Sequence, residues 1–171
     1  MTVALKTDVR GMIWKYPDHF EVSREQIRQY AKAIKAEDPS SYDDDAAHQM
    51  GYGSLVAPLT FSSIYALLIQ QHFFRHVDIG VETMQIVQVD QKFVYHRPIE
   101  AGDTLHGTMH VHSVDERFGA DIVVTRNVCT NQHGDLVLEA YTTLMGHTAD
   151  HHVQVKWDRE SGQVVRTAVG E

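Results

Sequence analysis

The chain has 171 residues, with 15 Lys and Arg set against 23 Asp and Glu, so its formal charge is −8 with His neutral. That length fits one domain with an extension, and the negative balance lacks the cations that general nucleic-acid binding needs to neutralise phosphates. A single Cys, Cys129, excludes an internal disulfide framework and a Cys-based zinc site, while 12 His invite a metal or pH-switch reading.

The start, MTVALKTDVRG, has no apolar core of about 7–15 residues before a small-residue cleavage site. The longest apolar stretch, around Ile64–Ile69, is far short of the ~20 residues that span a bilayer. A cytoplasmic protein without a membrane span is expected.

Phe20-Glu21-Val22 reads as the end of a short strand. Ser23 then suits an N-cap, and Gln26 three residues later completes a capping-box pattern. Ile27, Tyr30, Ala31 and Ile34 follow at helical spacing and define an apolar face. Asp38-Pro39-Ser40-Ser41 stops that helix, because Pro disfavours helical geometry in the residue before it. A short acidic helix is predicted from Asp43 to Met50, stopped by Gly51 and Gly53. The next helix, Leu55 to Phe74, is apolar nearly all round, so it should be buried on most sides. Pro58 suits its first turn, where a missing N–H costs little.

From Thr83 the hydrophobic period becomes two. Four strands are predicted: Met84–His96, Thr104–Asp115, Asp121–Asn131 and Leu136–His147. In the second, Leu105, Gly107, Met109 and Val111 alternate with His106, Thr108, His110 and His112. In the fourth, Leu136, Leu138, Ala140, Thr142 and Leu144 share a face. That is an antiparallel sheet with one face on a core. Glu116-Arg117-Phe118-Gly119 and Gln132-His133-Gly134 read as short hairpin connections.

The simplest packing wraps this sheet around the one long helix, an α+β arrangement known as the hotdog fold. Residues 1–147 form that single domain. The open edges of such a sheet invite pairing with another chain. Residues 148–171 are a polar extension in which Val153, Val155 and Trp157 alternate. A small hairpin and a frayed tail both fit it.

Several segments together resemble the MaoC-type (R)-hydratase/dehydratase family. They are Val22-Ser23-Arg24-Glu25, the Asp-Pro turn, Gly51-Tyr52-Gly53-Ser54-Leu55-Val56-Ala57 and Arg97-Pro98-Ile99-Glu100-Ala101-Gly102-Asp103-Thr104-Leu105. A closer resemblance, to HadC-type subunits of the actinobacterial (3R)-hydroxyacyl-acyl-carrier-protein dehydratase, rests on three long runs. These are Met84 to Gln91, Ser113 to Arg126 and Glu139 to Gly146. That resemblance implies type II fatty acid synthesis elongating mycolic acid precursors, a catalytic HadB-type partner, an acyl carrier protein and no cofactor.

The departures from the family matter most. Catalytic members carry Gly-Asp-x-Asn-Pro-x-His after the first helix. Aligned on Pro39, Ala36 stands at the catalytic Asp and Ser41 at the catalytic His. Alanine transfers no proton, and a serine hydroxyl is far from the near-neutral pKa a general base needs. The family's Ala-His-Gly at the central helix is here Ala57-Pro58-Leu59. The resemblance therefore implies no catalytic residue in this chain. Asp43 and His48 repeat the family's Asp-to-His spacing of five, but inside an acidic helix whose N-terminal carboxylates favour the helix dipole. A self-sufficient hydratase or thioesterase using Glu37 or Asp38, and a non-enzymatic acyl-binding protein, stay open as alternatives.

Pro58, Leu59, Phe61, Ile64 and Tyr65 stand where the family places the acyl chain, so the resemblance implies a channel wall there. Each buried methylene of a tail is worth about 0.8 kcal/mol. Plain core packing explains the same residues. Arg24, Arg28, Lys32 and Lys35 make one basic stripe on the first helix. An acidic carrier would be steered to it, although a solvated face opposite Ile27, Tyr30 and Ile34 looks the same. His106, His110 and His112 fall on one strand face with no convincing further ligand, so solvated or subunit-contact His is expected. His72 and His76 have helical i,i+4 spacing and suit a helix C-terminus. Cys129 reads as a buried inert thiol.

Overall fold

The computed structural model describes residues 9–77, 84–117, 120–148, 153–158 and 162–168. Two short strands, β1 (Ile13–Lys15) and β2 (Phe20–Glu21), lead into α1 (Arg24–Ala33). The capping box is present: the Ser23 hydroxyl accepts from the Gln26 N–H, and the Gln26 side chain accepts from the Ser23 N–H. Ile27 and Ala31 bury the apolar face of α1. A 3-10 turn, Pro39–Ser41, is followed by α2 (Asp44–Gln49), with Asp43 as its N-cap.

The central helix begins later than its apolar pattern suggests. Leu55–Ala57 is extended and bridges the residues around Glu100. Ala57 donates to the Ile99 carbonyl and Ala101 donates to the Leu55 carbonyl. Those interstrand bonds compete successfully with a helical turn. Pro58, at ψ 149°, ends the extended segment; a 3-10 turn over Leu59–Phe61 then runs into α3 (Ser62–His76).

Four long strands follow: β3 (Met84–Tyr95), β4 (Thr104–Arg117), β5 (Ala120–Thr130) and β6 (Leu136–Thr148). They agree with the predicted strands to within two residues at each end. The sheet order is β1-β4-β5-β6-β3, antiparallel throughout, with β2 also paired to β4. β3 is therefore an edge strand. It carries a bulge between Gln88 and Asp90, and Val87 and Val89 are 54% and 49% exposed. β4 bulges at His112. Phe118 and Gly119, the tip of one predicted hairpin, lie outside the described residues; Gly134, in the other, has φ +83°. The extension pairs β7 (Val153–Asp158) with β8 (Gln163–Ala168) in a separate two-stranded sheet, the hairpin option.

The sheet wraps α3, which is the hotdog arrangement. Tyr65, Ile69 and Phe73 of α3 pack on Leu105, Met109, Val111, Leu138 and Ala140 of the sheet. Close approach is possible because Gly107 has no side chain; a Cβ there would lie 2.4 Å from Ile69 Cδ1. Among the described residues nothing covers the far side of α3: Leu67 and Leu68 are exposed, against the expectation of burial on most sides. A single sheet can cover only one side of a helix. Among the described residues no helix is long and apolar enough to cross a membrane.

Candidate functional site

The segment between α1 and α2 holds Ala36 and Ser41, the two positions that the sequence reading singled out. Lys35, at φ 56°, turns the chain out of α1, and the Ala36 N–H bonds back to the Ala31 carbonyl at 2.8 Å. Asp38 caps the 3-10 turn; its Oδ1 accepts from Ser40 N–H at 3.0 Å and from Ser40 Oγ at 2.8 Å. Ser41 is 2% exposed, and its Oγ donates to the Val56 carbonyl at 2.7 Å. Beside it, Val56 N–H donates to the Ser40 carbonyl at 3.0 Å. The Tyr42 hydroxyl donates to the Ala36 carbonyl at 2.8 Å. At these two positions the structure has a methyl group and a buried hydroxyl bonded to a backbone carbonyl.

Asp43 and His48 are also committed, and to different places. Asp43 Oδ1 accepts from Ala46 N–H at 2.9 Å, while His48 Nε2 lies 3.1 Å from the Gly53 carbonyl. Glu100 holds the same loop from the other side, accepting from Gly53 N–H at 2.8 Å and Ser54 N–H at 3.1 Å. Asp103, nearly buried, orients that corner by accepting from Glu100 N–H at 2.9 Å and from Arg97 at 3.3 Å. Loop 51–57 is thus clamped between Ser41 and Glu100.

The candidate channel residues divide. Phe61 and Tyr65 are buried and meet through Phe20, whose ring centroid is 6.1 Å from Phe61 and 5.5 Å from Tyr65. Pro58 and Ile64 are half-buried, and Leu59 is 71% exposed. The helix start is pinned by Tyr30, whose hydroxyl donates to the Thr60 carbonyl at 2.8 Å. The Tyr95 hydroxyl pins it a second time, donating to the Leu59 carbonyl and lying 2.8 Å from Ser62 Oγ.

The basic stripe divides as well. Arg24 is ion-paired with Asp44, and Arg28 with Glu25, while Arg28 Nε also donates to the Tyr42 carbonyl at 3.0 Å. Lys32 and Lys35 are exposed and make no ion pair among the described residues. The pairing of Arg24 with a carboxylate twenty residues away is invisible to helical periodicity.

The histidines are scattered. His106 faces His19, and His112 faces Tyr141, both on the outer side of the sheet. His72 and His76 stack at 4.2 Å near the end of α3, and His72 Nδ1 accepts from the Trp14 indole N–H at 3.1 Å. Burial, then the neighbouring His76 and Arg75, hold the His72 pKa below its usual 6.5. Cys129 is buried, and burial pushes its thiol up to about 12, far from a reactive thiolate.

Two features escaped the sequence reading. On the outer sheet face Glu139 accepts from Arg126 and lies 3.1 Å from His96 Nε2; those hydrogen bonds, Arg126 first, hold its carboxyl below the usual range. On the inner face, Thr125 and Asn127 are buried polar residues in the middle of the core.

Against this geometry, residues 11–140 match the FAS1-like dehydratase domain region family. The chain belongs to that family. A UPF0336 protein of Mycobacterium tuberculosis is 63% identical over 166 residues, covering 97% of this chain and 100% of its own. One chain of the C-terminally truncated HadBC (3R-hydroxyacyl-ACP dehydratase) complex from Mycobacterium tuberculosis superposes with TM-score 0.79 at 62% identity, over 83% of this chain and 100% of that one. A MaoC-like dehydratase superposes with TM-score 0.79 at 31% identity, over 96% of this chain and 53% of that chain. The fold and the family expected from the sequence both stand.

Proposed function

We propose that this chain is the non-catalytic subunit of a heterodimeric (3R)-3-hydroxyacyl-ACP dehydratase. In that reaction the C2 proton and the C3 hydroxyl of the acyl thioester leave together as water, giving the trans-2-enoyl product. A HadB-type partner supplies the Asp and His that carry the two proton movements. The observation that carries the reading is Ser41: at the position of the general base stands a buried hydroxyl already spent on the Val56 carbonyl.

Surface chemistry supports a partner. Among the described residues no strand pairs with the outer edge of β3, and Val87 and Val89 are exposed there. Leu59, Leu67 and Leu68 leave the outer side of α3 in the same condition. A second hotdog covering this face satisfies both, and the resemblance to one chain of the HadBC complex supports that arrangement.

In this reading Phe61 and Tyr65, with Pro58, Leu59 and Ile64, form this subunit's share of the wall that receives the acyl tail. Lys32 and Lys35, the free part of the basic stripe with Arg24 and Arg28, steer an acidic acyl carrier protein. The complex works in the cytoplasm, in type II fatty acid synthesis that elongates mycolic acid precursors. The test is turnover of a 3-hydroxyacyl thioester by the purified chain, by the catalytic partner and by the two mixed. Activity dependent on the partner is expected; robust turnover by this chain alone overturns the proposal.

A further inference from the structure

α1 ends at Ala33, and Ile34 is its C-cap. Lys35 is therefore the first residue past the helix, and the helical spacing that put it on the basic stripe does not reach it. The exit is a Schellman turn. The Lys35 N–H bonds to the Lys32 carbonyl at 3.2 Å, and the Ala36 N–H reaches back to the Ala31 carbonyl at 2.8 Å. Such a turn needs a left-handed residue at position 35, where φ is 56°. The other described residues with positive φ are Gly11, Gly51, Gly102, Gly134 and Gly162. Among the described residues, Lys35 is thus the one that forces a Cβ into a conformation glycine adopts freely.

No contact among the described residues offsets that strain. Lys35 is exposed and makes no ion pair there. The Asp38 carboxylate, three residues on, is turned to Ser40. A cation near a helix C-terminus suits the dipole, but Lys32, in the last turn, already supplies one in helical geometry. Strain held without an internal return points to a task outside the fold. Beside the charge, Ile34 is 46% exposed. An apolar side chain next to an unpaired cation suits a protein surface better than a free anion. We infer that Lys35 is the leading contact of this chain for an acidic partner protein, and that its side chain is kept at a strained position for that purpose. Under the proposed function the partner is the acyl carrier protein, so the inference rests on that reading and assigns the docking to one residue. Arg24 and Arg28 are already paired within the chain, which leaves Lys32 as the secondary contact.

The test uses the assembled complex, with the acidic carrier as the probe. Two readouts, melting temperature and carrier affinity, separate the backbone from the charge. Lys35→Gly relieves the turn, so Tm should rise by about 2 °C. The same change should raise the carrier Kd by about two- to fivefold at low salt, the worth of one exposed ion pair. That loss should fade as salt screens the charges. Lys35→Gln keeps the strain and removes the charge, so affinity should fall as far while Tm stays put. Lys35→Arg should match the parent in both. Lys32→Gln should cost less affinity than Lys35→Gln. A Tm that is unchanged or lower in Lys35→Gly overturns the strain. Parental affinity in both Lys35→Gly and Lys35→Gln overturns the contact. An equal loss at Lys32 and Lys35 makes position 35 an ordinary part of a basic face and also overturns the inference. If Lys32→Gln weakens binding and Lys35→Gln does not, the carrier role stands and this inference alone fails. If the parent complex does not bind the carrier, the two fall together.

Discussion

Replacing Gly107 with Ala tests how tightly α3 sits on its sheet. The new Cβ would lie 2.4 Å from Ile69 Cδ1, 2.9 Å from Tyr65 Oη and 3.1 Å from Tyr65 Cε1. Carbon atoms in good contact lie about 3.5–4.0 Å apart, so Ile69 must retreat by about 1 Å. Ile69 and Tyr65 are both fully buried, so either one moves only by displacing packed neighbours. Overpacking of this kind costs about 1–3 kcal/mol. Against that, Ala stiffens the unfolded chain relative to Gly, a gain of about 0.4–1 kcal/mol where the backbone conformation suits it. The net expectation is a loss of about 1–2 kcal/mol, or roughly 2–8 °C in Tm for a chain of this size. Urea unfolding at fixed protein concentration measures it. Ile69→Val deletes the clashing Cδ1 and alone costs about 0.5–1.5 kcal/mol. In the Gly107→Ala background it should cost almost nothing, because the cavity it opens is filled. A Gly107→Ala variant as stable as the parent, or additive effects in the double variant, refutes the close-approach argument.

Ser41→Ala removes the donor to the Val56 carbonyl and should lower stability by about 1 kcal/mol, read from the urea midpoint; activity of the assembled complex, scaled to folded protein, should not change. Acidification should weaken the fold through His72. Its neutral form accepts the Trp14 indole N–H, and its folded pKa lies below 6.5. The unfolded chain then binds more protons as pH falls through that value, so this stability is present above pH 6.5 and lost below it. His72→Gln keeps an acceptor, cannot titrate, and should flatten that part of the pH profile; an unchanged profile refutes the assignment. Reversing Lys32 and Lys35 to Glu should weaken carrier binding and its salt dependence. Arg28 is a poorer probe, since its reversal also breaks contacts to Glu25 and Tyr42. Unchanged affinity in the double lysine variant removes the stripe from the docking site.

Local chemistry was legible wherever its partners are close in sequence. The Ser23 capping box, the short acidic helix near Asp43, the four long strands and the pairing edge all follow from spacing and periodicity. Leu55–Ala57 misled because an apolar run fits a buried helix or a bridged extended segment equally well; its partner is the backbone around Glu100, far along the chain. β1 has only three residues, too few for a period to emerge. The basic stripe on α1 was plain, but its neutralisation by Asp44 depends on how α2 folds back. Alternation put Asn127 on the face of Cys129, yet no local pattern says that an amide stays unpaired there. The position of Ser41 was readable, and its bond to Val56 required the fold.

That bond has a consequence for history. Under the proposed reading, positions 36 and 41 are where a catalytic pair would stand. Ser41 instead holds loop 51–57 through the Val56 carbonyl. Placing an imidazole at position 41 would strip the Val56 carbonyl of its donor and seat a larger ring at a buried position. Returning a carboxylate at Ala36 would supply half of a pair. Neither step gives a working dyad alone, and the first carries a penalty at once. In the proposed subunit, silence works as a ratchet: dependence on a partner is held in place by the loop's own architecture.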